Sequence, residues 1–264
     1  MNHRPRKRFG QNFLRDPAVI NRIIATVAPK PREHLVEIGP GQGAITGGLL
    51  RAANRLDVVE LDRDLIQPLR ASLGGLGELR VHNHDALEFA FCRLVENSER
   101  LRIVGNLPYN ISTPLLFHLL DQAGCIDDMH FMLQKEVVDR MTADPCCKAY
   151  GRLSVMVQSR CEALPLFDIP PSAFNPAPKV NSTFVRVTPF PEPRFVIDDP
   201  PFFSRLVAQS FNQRRKTLRN SLKELVTAEQ MIRADVDPGL RAERLEVADF
   251  VRLANLACKP PELS

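Results

Sequence analysis

The chain has no CxxC pair, no histidine at zinc-like spacing from a cysteine, and no apolar run of the roughly 18 residues that a membrane-spanning helix needs. The first two absences argue against a zinc site and the third against insertion in a membrane. Basic residues near the start are followed by no apolar stretch of signal-peptide type, so a cytoplasmic protein is expected. The six cysteines, at 92, 125, 146, 147, 161 and 258, read as reduced thiols rather than a disulfide frame. Internal repeats and low-complexity segments are also missing, which sets aside solenoids and biased tails. Nor is there a large charge excess. A net charge of +4 permits nucleic-acid binding without demanding it, so the placement of the charges matters more.

What is present is the composition of a globular protein with a proper core, 44% hydrophobic and 25% charged. The 264 residues allow one ordinary domain and a smaller one. Asp16-Pro17 is a helix start, followed by Val19, Ile20, Ile23, Ile24 and Val27 at helical spacing. Strands are then expected at 34–38, 56–61, 79–82, 101–105 and 129–133, with helices at about 43–53, 63–72 and 115–120 between them. That alternation predicts a parallel, doubly wound α/β sheet. After a helical stretch beyond 151, apolar segments near 160–167 and 183–188 read as an antiparallel pair closing the sheet. Prolines 189, 191, 193, 200 and 201 mark a boundary, with helical patterning beyond it. The expected domains are therefore 1–190 and 191–264.

Two motifs carry chemistry. The first is Glu37-Ile-Gly-Pro-Gly-Gln-Gly-Ala-Ile-Thr46, which follows a strand and opens a helix. Gly39 and Gly41 let backbone approach a ligand at a helix N-terminus. Glu60 ends the next strand, 21 residues beyond Gly39, where a carboxylate can accept both hydroxyls of a ribose. Asp85, at the end of the third strand, suits an adenine edge. The glycine run also fits a loose dinucleotide fingerprint, so a nicotinamide-dependent oxidoreductase stays open on that motif alone.

The second motif is Asn106-Leu107-Pro108-Tyr109, at the end of an apolar strand. The Asn106 side-chain carbonyl and a backbone carbonyl near Leu107 and Pro108 can accept from one amino group, and Tyr109 can lie against a flat ring. Adenine, planar with an exocyclic NH2, suits such a pocket, and the motif argues against the oxidoreductase.

Two basic segments suit phosphate. One is Arg4, Arg6, Lys7 and Arg8. The other is a helix expected from Arg205 to Lys223, on which Arg215, Arg219 and Lys223 line up at spacing four beside Phe203, Val207, Phe211, Leu218 and Leu222.

Asn12-Phe-Leu14, Glu37 to Thr46, Glu60-Leu-Asp62, Asp85-Ala86-Leu87 and Asn106 to Tyr109 occur in the order seen in the ribosomal RNA adenine N6-dimethyltransferases. The chain also resembles that family through Phe174-Asn-Pro-Ala-Pro-Lys-Val-Asn-Ser182 and Gln213-Arg-Arg-Lys-Thr-Leu218. Departures are small: His84 stands where the family more often has Gly, and Asn181 where it often has Asp. The resemblance implies a Rossmann-like class I methyltransferase sheet, S-adenosyl-L-methionine as cofactor with no metal, and a small all-helical C-terminal RNA-binding domain. Asn12, Leu14, Gly39, Gly41, Glu60, Asp85, Ala86 and Asn106 would hold the cofactor. Asn106, Leu107, Pro108 and Tyr109 would hold the target adenine, with Phe174 on its other face. The implied substrate is small-subunit (16S) ribosomal RNA in a pre-assembled subunit, dimethylated on two adjacent adenosines near its 3′ end by a monomeric enzyme. Two alternatives share the fold: a resistance-type enzyme acting on large-subunit RNA, and an assembly or transcription factor.

Overall fold

The computed structural model of the chain describes residues 12–96 and 99–258, so Arg4, Arg6, Lys7 and Arg8 lie outside the described residues. The chain divides into two compact units. One holds the residues up to Val138 together with Leu164–Pro189, and the other holds Asp139–Ala163 together with the residues from Phe190 onwards. One crossing falls at the proline-rich stretch. The other two, near 138 and 163, carry no comparable punctuation in the sequence.

The first unit is built on a seven-stranded sheet. Strand β1 (Phe13–Leu14) leads into α1 (Pro17–Val27), whose first turn is capped by Asp16 accepting from the Ala18 and Val19 amides. Next come β2 (His34–Ile38), α2 (Thr46–Ala53), β3 (Arg55–Val59), α3 (Arg63–Leu73) and β4 (Glu78–His82). They are followed by β5 (Leu101–Asn106), α4 (Ser112–Asp121) and β6 (Ile126–Gln134). The chain passes into the other unit within α5 (Lys135–Met141), runs through α6 (Arg152–Gln158), and returns within β7 (Cys161–Ile169), followed by β8 (Phe174–Asn175) and β9 (Ser182–Pro189).

The strand order is β4-β3-β2-β5-β6-β9-β7. The first five strands are parallel, and β9 runs antiparallel to β6. From β2 the chain winds outward through β3 and β4, then crosses back to place β5 on the other side of β2. The carboxyl ends of β2 and β5 thus flank the reversal of strand order, where open α/β sheets form their ligand crevice. Helices α1 to α3 pack Ile23, Leu49, Leu50 and Leu69 on the sheet residues Leu35, Leu56 and Val58, all of them buried. A separate two-stranded ribbon pairs β1 with β8, setting Leu14 opposite Phe174.

Cys92 and Cys125 are joined by a disulfide, which corrects the expectation of reduced thiols throughout. Their 3-10 turns, Phe91–Leu94 and Ala123–Cys125, bring together residues 33 apart in the chain. Cys146, Cys147, Cys161 and Cys258 are free.

The second unit is helical, with α7 (Pro200–Phe211), α8 (Leu218–Ser221), α9 (Ala228–Arg233) and α10 (Val247–Ala257). Phe211 packs on Tyr150 and Phe250, and the Tyr150 hydroxyl donates to the Leu245 carbonyl at 2.9 Å. The continuous helix expected from Arg205 to Lys223 is not formed. Helix α7 stops at Phe211, residues 212–217 form turns, and α8 restarts at Leu218. The break lets Leu218 and Leu222 be fully buried on their own account. Arg215, Arg219 and Lys223 are all exposed, but they lie on a turn, a short helix and a second turn rather than on one helical stripe. Among the described residues, no helix is long and apolar enough to cross a membrane.

Candidate active site

A cavity of about 310 Å³ opens at the carboxyl ends of β2, β3 and β5. That is within the usual size range of small-molecule sites, roughly 300–1,000 Å³. Every candidate cofactor residue lines it: Asn12, Leu14, Gly39, Gly41, Glu60, Asp85, Ala86 and Asn106. So do Leu107, Pro108 and Tyr109.

The glycine turn after β2 forms the floor. Gly39 and Gly41 have φ of +66° and +57°, a region that side-chain-bearing residues seldom occupy. A Cβ on Gly41 would also meet the Phe13 ring at 3.0 Å, so β1 closes directly over the turn.

Glu60 stands at the end of β3, 6% exposed. Its Oε2 accepts from the Gly41 amide at 3.2 Å and its Oε1 from the Asp62 amide at 2.8 Å. Burial raises its pKa, and these amides work against the rise. Both oxygens keep lone pairs for further donors. Asp85 is partly exposed, and its Oδ1 accepts from the Leu87 amide at 2.9 Å, shaping the loop in front of Ala86.

Glu37 belongs to the glycine motif, but the sequence assigns it no role. The structure buries it in β2, against the same cavity, with Oε2 lacking a hydrogen-bond partner. Burial is the main cause of a pKa pushed up to about 8. Thr46 opposes the shift and the neighbouring Glu60 charge adds to it. Met132 and Ile111 also line the cavity and were not foreseen. Their place at the carboxyl end of β6 and just before α4 was the available signal.

Asn106 ends β5, and its Nδ2 donates to the Asn12 carbonyl at 2.8 Å. A carbonyl can face only the NH2 end of the amide, so this bond fixes the side chain's orientation. Two of the three carbonyls that follow are already engaged. Pro108 accepts from the Ile111 amide and Tyr109 from the Ser112 hydroxyl, each at 3.1 Å. The Tyr109 ring is half-buried, and burial raises its phenol pKa.

Phe174 is not among the residues that line this cavity. It is 5% exposed and packed in the core with Leu14, Met132 and Phe184. Its register partner Leu14 and its neighbour Met132 do line the cavity, which sets the ring directly behind that wall. Among the described residues, no group of three or more His, Cys, Asp or Glu side chains is arranged to hold a metal.

Residues 2–259 match the family of ribosomal RNA adenine dimethylases. Ribosomal RNA small subunit methyltransferase A of Pseudomonas aeruginosa is 56% identical over 259 residues, covering 98% of this chain and 97% of that protein. The protein of the same name from Methylococcus capsulatus is 54% identical over 257 residues, covering 96% and 98%. Among solved structures, a dimethyladenosine transferase from Plasmodium falciparum has a TM-score of 0.78 at 25% identity, covering 91% of this chain and 95% of that one. The 23S rRNA methyltransferase ErmE has a TM-score of 0.71 at 25% identity, covering 94% and 100%. The resemblance read from the motifs is borne out across nearly the whole length. The chain belongs to the ribosomal RNA adenine dimethylases, S-adenosylmethionine-dependent methyltransferases with a class I α/β fold.

Proposed function

We propose that the chain methylates N6 of two adjacent adenosines near the 3′ end of small-subunit (16S) ribosomal RNA, giving N6,N6-dimethyladenosines. On this reading it works as a monomer in the cytoplasm, on a pre-assembled small subunit and without a metal. Identity of 56% and 54% to proteins named for the small subunit, against 25% to the 23S enzyme, favours this substrate over large-subunit RNA.

The residues present fit S-adenosylmethionine. Glu60 has acceptor capacity for two ribose hydroxyls, Asp85 has a second oxygen for the adenine amino group, and the Gly39–Gly41 turn leaves room for a closely approaching chain. When bound, the cofactor supplies a methyl group on a cationic sulfur, already electrophilic without a metal.

The protein's task is the nucleophile, because the adenine N6 lone pair is delocalised into the ring. The observation that carries the mechanism is the bond from Asn106 Nδ2 to the Asn12 carbonyl. It commits the NH2 end of the amide to the protein and reserves Oδ1 as an acceptor for the target. The Leu107 backbone carbonyl, next along the motif, is assigned the second acceptor. Two acceptors on one amino group hold N6 in a pyramidal form, with its lone pair released from the ring. The gain is one of position and fixed dipoles. Tyr109 gives the flipped base a stacking face. The exposed Arg215, Arg219 and Lys223 contribute phosphate contacts, as do Arg4, Arg6, Lys7 and Arg8.

The test is methyl transfer to undermethylated small subunits, with large subunits as control. Asn106→Ala should lower the single-turnover rate at saturating cofactor by roughly 100-fold or more. A near-normal rate in that variant, or methylation of large subunits instead, overturns the proposal.

A further inference from the structure

Tyr109 is fixed at both ends. Its backbone carbonyl accepts from the Ser112 hydroxyl at 3.1 Å, at the start of α4. Its phenol oxygen lies 2.6 Å from Ser182 Oγ, one hydroxyl donating to the other. Ser182 is fully buried, in register opposite Gln134, and the Lys135 amide donates to the Asn181 carbonyl beside it. The serine is thus held by the sheet itself, while the ring it touches stands on the loop after β5, half-buried at the cavity wall. A side chain on a loop turns about two torsions, and a stacking face is useful only in one plane. The hydroxyl pair removes that freedom.

We propose that Ser182 is a positioning residue for methyl transfer, setting the plane of the Tyr109 ring through the hydrogen bond between their hydroxyls. The inference rests on the reading of Tyr109 as the face on which the target adenine stacks. Ser182 is not among the residues lining the cavity and meets the site through the Tyr109 hydroxyl. Its contribution falls on the RNA side of the reaction: the rate at which a bound adenosine reacts, not the affinity for cofactor. The same segment holds Thr183, whose hydroxyl donates to Asp168 at 2.6 Å, with Lys135 on that same carboxylate. The strand end is therefore anchored independently of Ser182, and removal of one hydroxyl leaves it in place.

The experiment is a double-mutant cycle on single-turnover methylation of undermethylated small subunits, comparing the parent, Ser182→Ala, Tyr109→Phe and the double variant. Each single change should slow the reaction by about 3- to 10-fold, the range of one hydrogen bond. The double variant should be no slower than either single one, because both remove the same hydrogen bond. Cofactor affinity by calorimetry should match the parent's. Additive losses in the double variant, or parental rates in both single variants, overturn the inference. Tyr109→Ala separates this from failure of the underlying reading. If that variant keeps the parent's rate, Tyr109 is not the stacking face. If it alone is slow, the ring matters and Ser182 does not position it.

Discussion

Replacing Glu37 by Gln should make the protein less sensitive to alkaline pH. The side chain is 2% exposed within β2, its Oε2 has no partner, and the Glu60 carboxylate lies close enough to disfavour a second negative charge. Burial above all pushes its pKa from 4.5 to about 8. Between those values the folded chain holds a proton that the unfolded chain has released. Stability linked to this group is therefore complete below pH 4.5 and is lost as pH rises through 8. Each pH unit in the window costs roughly 1.4 kcal/mol, and the span caps the loss at roughly 5 kcal/mol. Glutamine keeps the shape and carries no ionisable proton. Urea unfolding of both proteins without cofactor, at several pH values from about 5 to about 8, reads the effect of Glu37 together with its coupling to Glu60, while groups that do not interact with Glu37 cancel in the difference. That difference should move in favour of Glu37→Gln by several kcal/mol from the acid to the alkaline end. A difference that stays constant across the series would falsify the protonated state of Glu37.

Two further outcomes concern the ligands. Glu60→Ala should weaken S-adenosylmethionine binding by roughly 1–3 kcal/mol, the cost of removing a charge-assisted hydrogen bond; unchanged affinity by calorimetry removes Glu60 from the ribose site. Changing Arg215, Arg219 and Lys223 together to Ala should weaken binding to small subunits and reduce the salt slope by roughly 0.7–0.9 for each phosphate no longer neutralised, with cofactor affinity unaltered. Parental affinity and slope in that variant would make these side chains an ordinary solvated surface and shift the RNA contacts to the N-terminal arginines and the cavity rim.

The parts of the site that were legible are those whose chemistry is written in one continuous segment. A strand, a glycine turn and a helix start need particular residue types at particular places, so Gly39 and Gly41 declare a turn with positive φ before anything is known of their neighbours. Glu60, Asp85 and Asn106 follow from the same logic, each at or just beyond the carboxyl end of a parallel strand on the side where the ligand crevice forms. What was not legible depends on what lies opposite in space. Phe174 sits in a segment that suits a stacking ring, and the sequence does not show that it is buried beside Leu14, behind the cavity wall. The spacing of Arg215, Arg219 and Lys223 is the same on one long helix as on two pieces, so the break at 212–217 leaves no mark in it. Cys92 and Cys125 meet because two 3-10 turns meet, which no spacing rule encodes. Glu37 and Ser182 are the sharper cases, because both stand within recognisable motifs and neither had a role. The raised pKa of the first comes above all from its burial, and the role proposed for the second from a phenol 73 residues away. A single sequence displays the groups that face the ligand, since the backbone beneath them restricts their type. It hides the groups that face those groups, since any small hydroxyl or buried carboxyl looks the same until the register of the sheet is known.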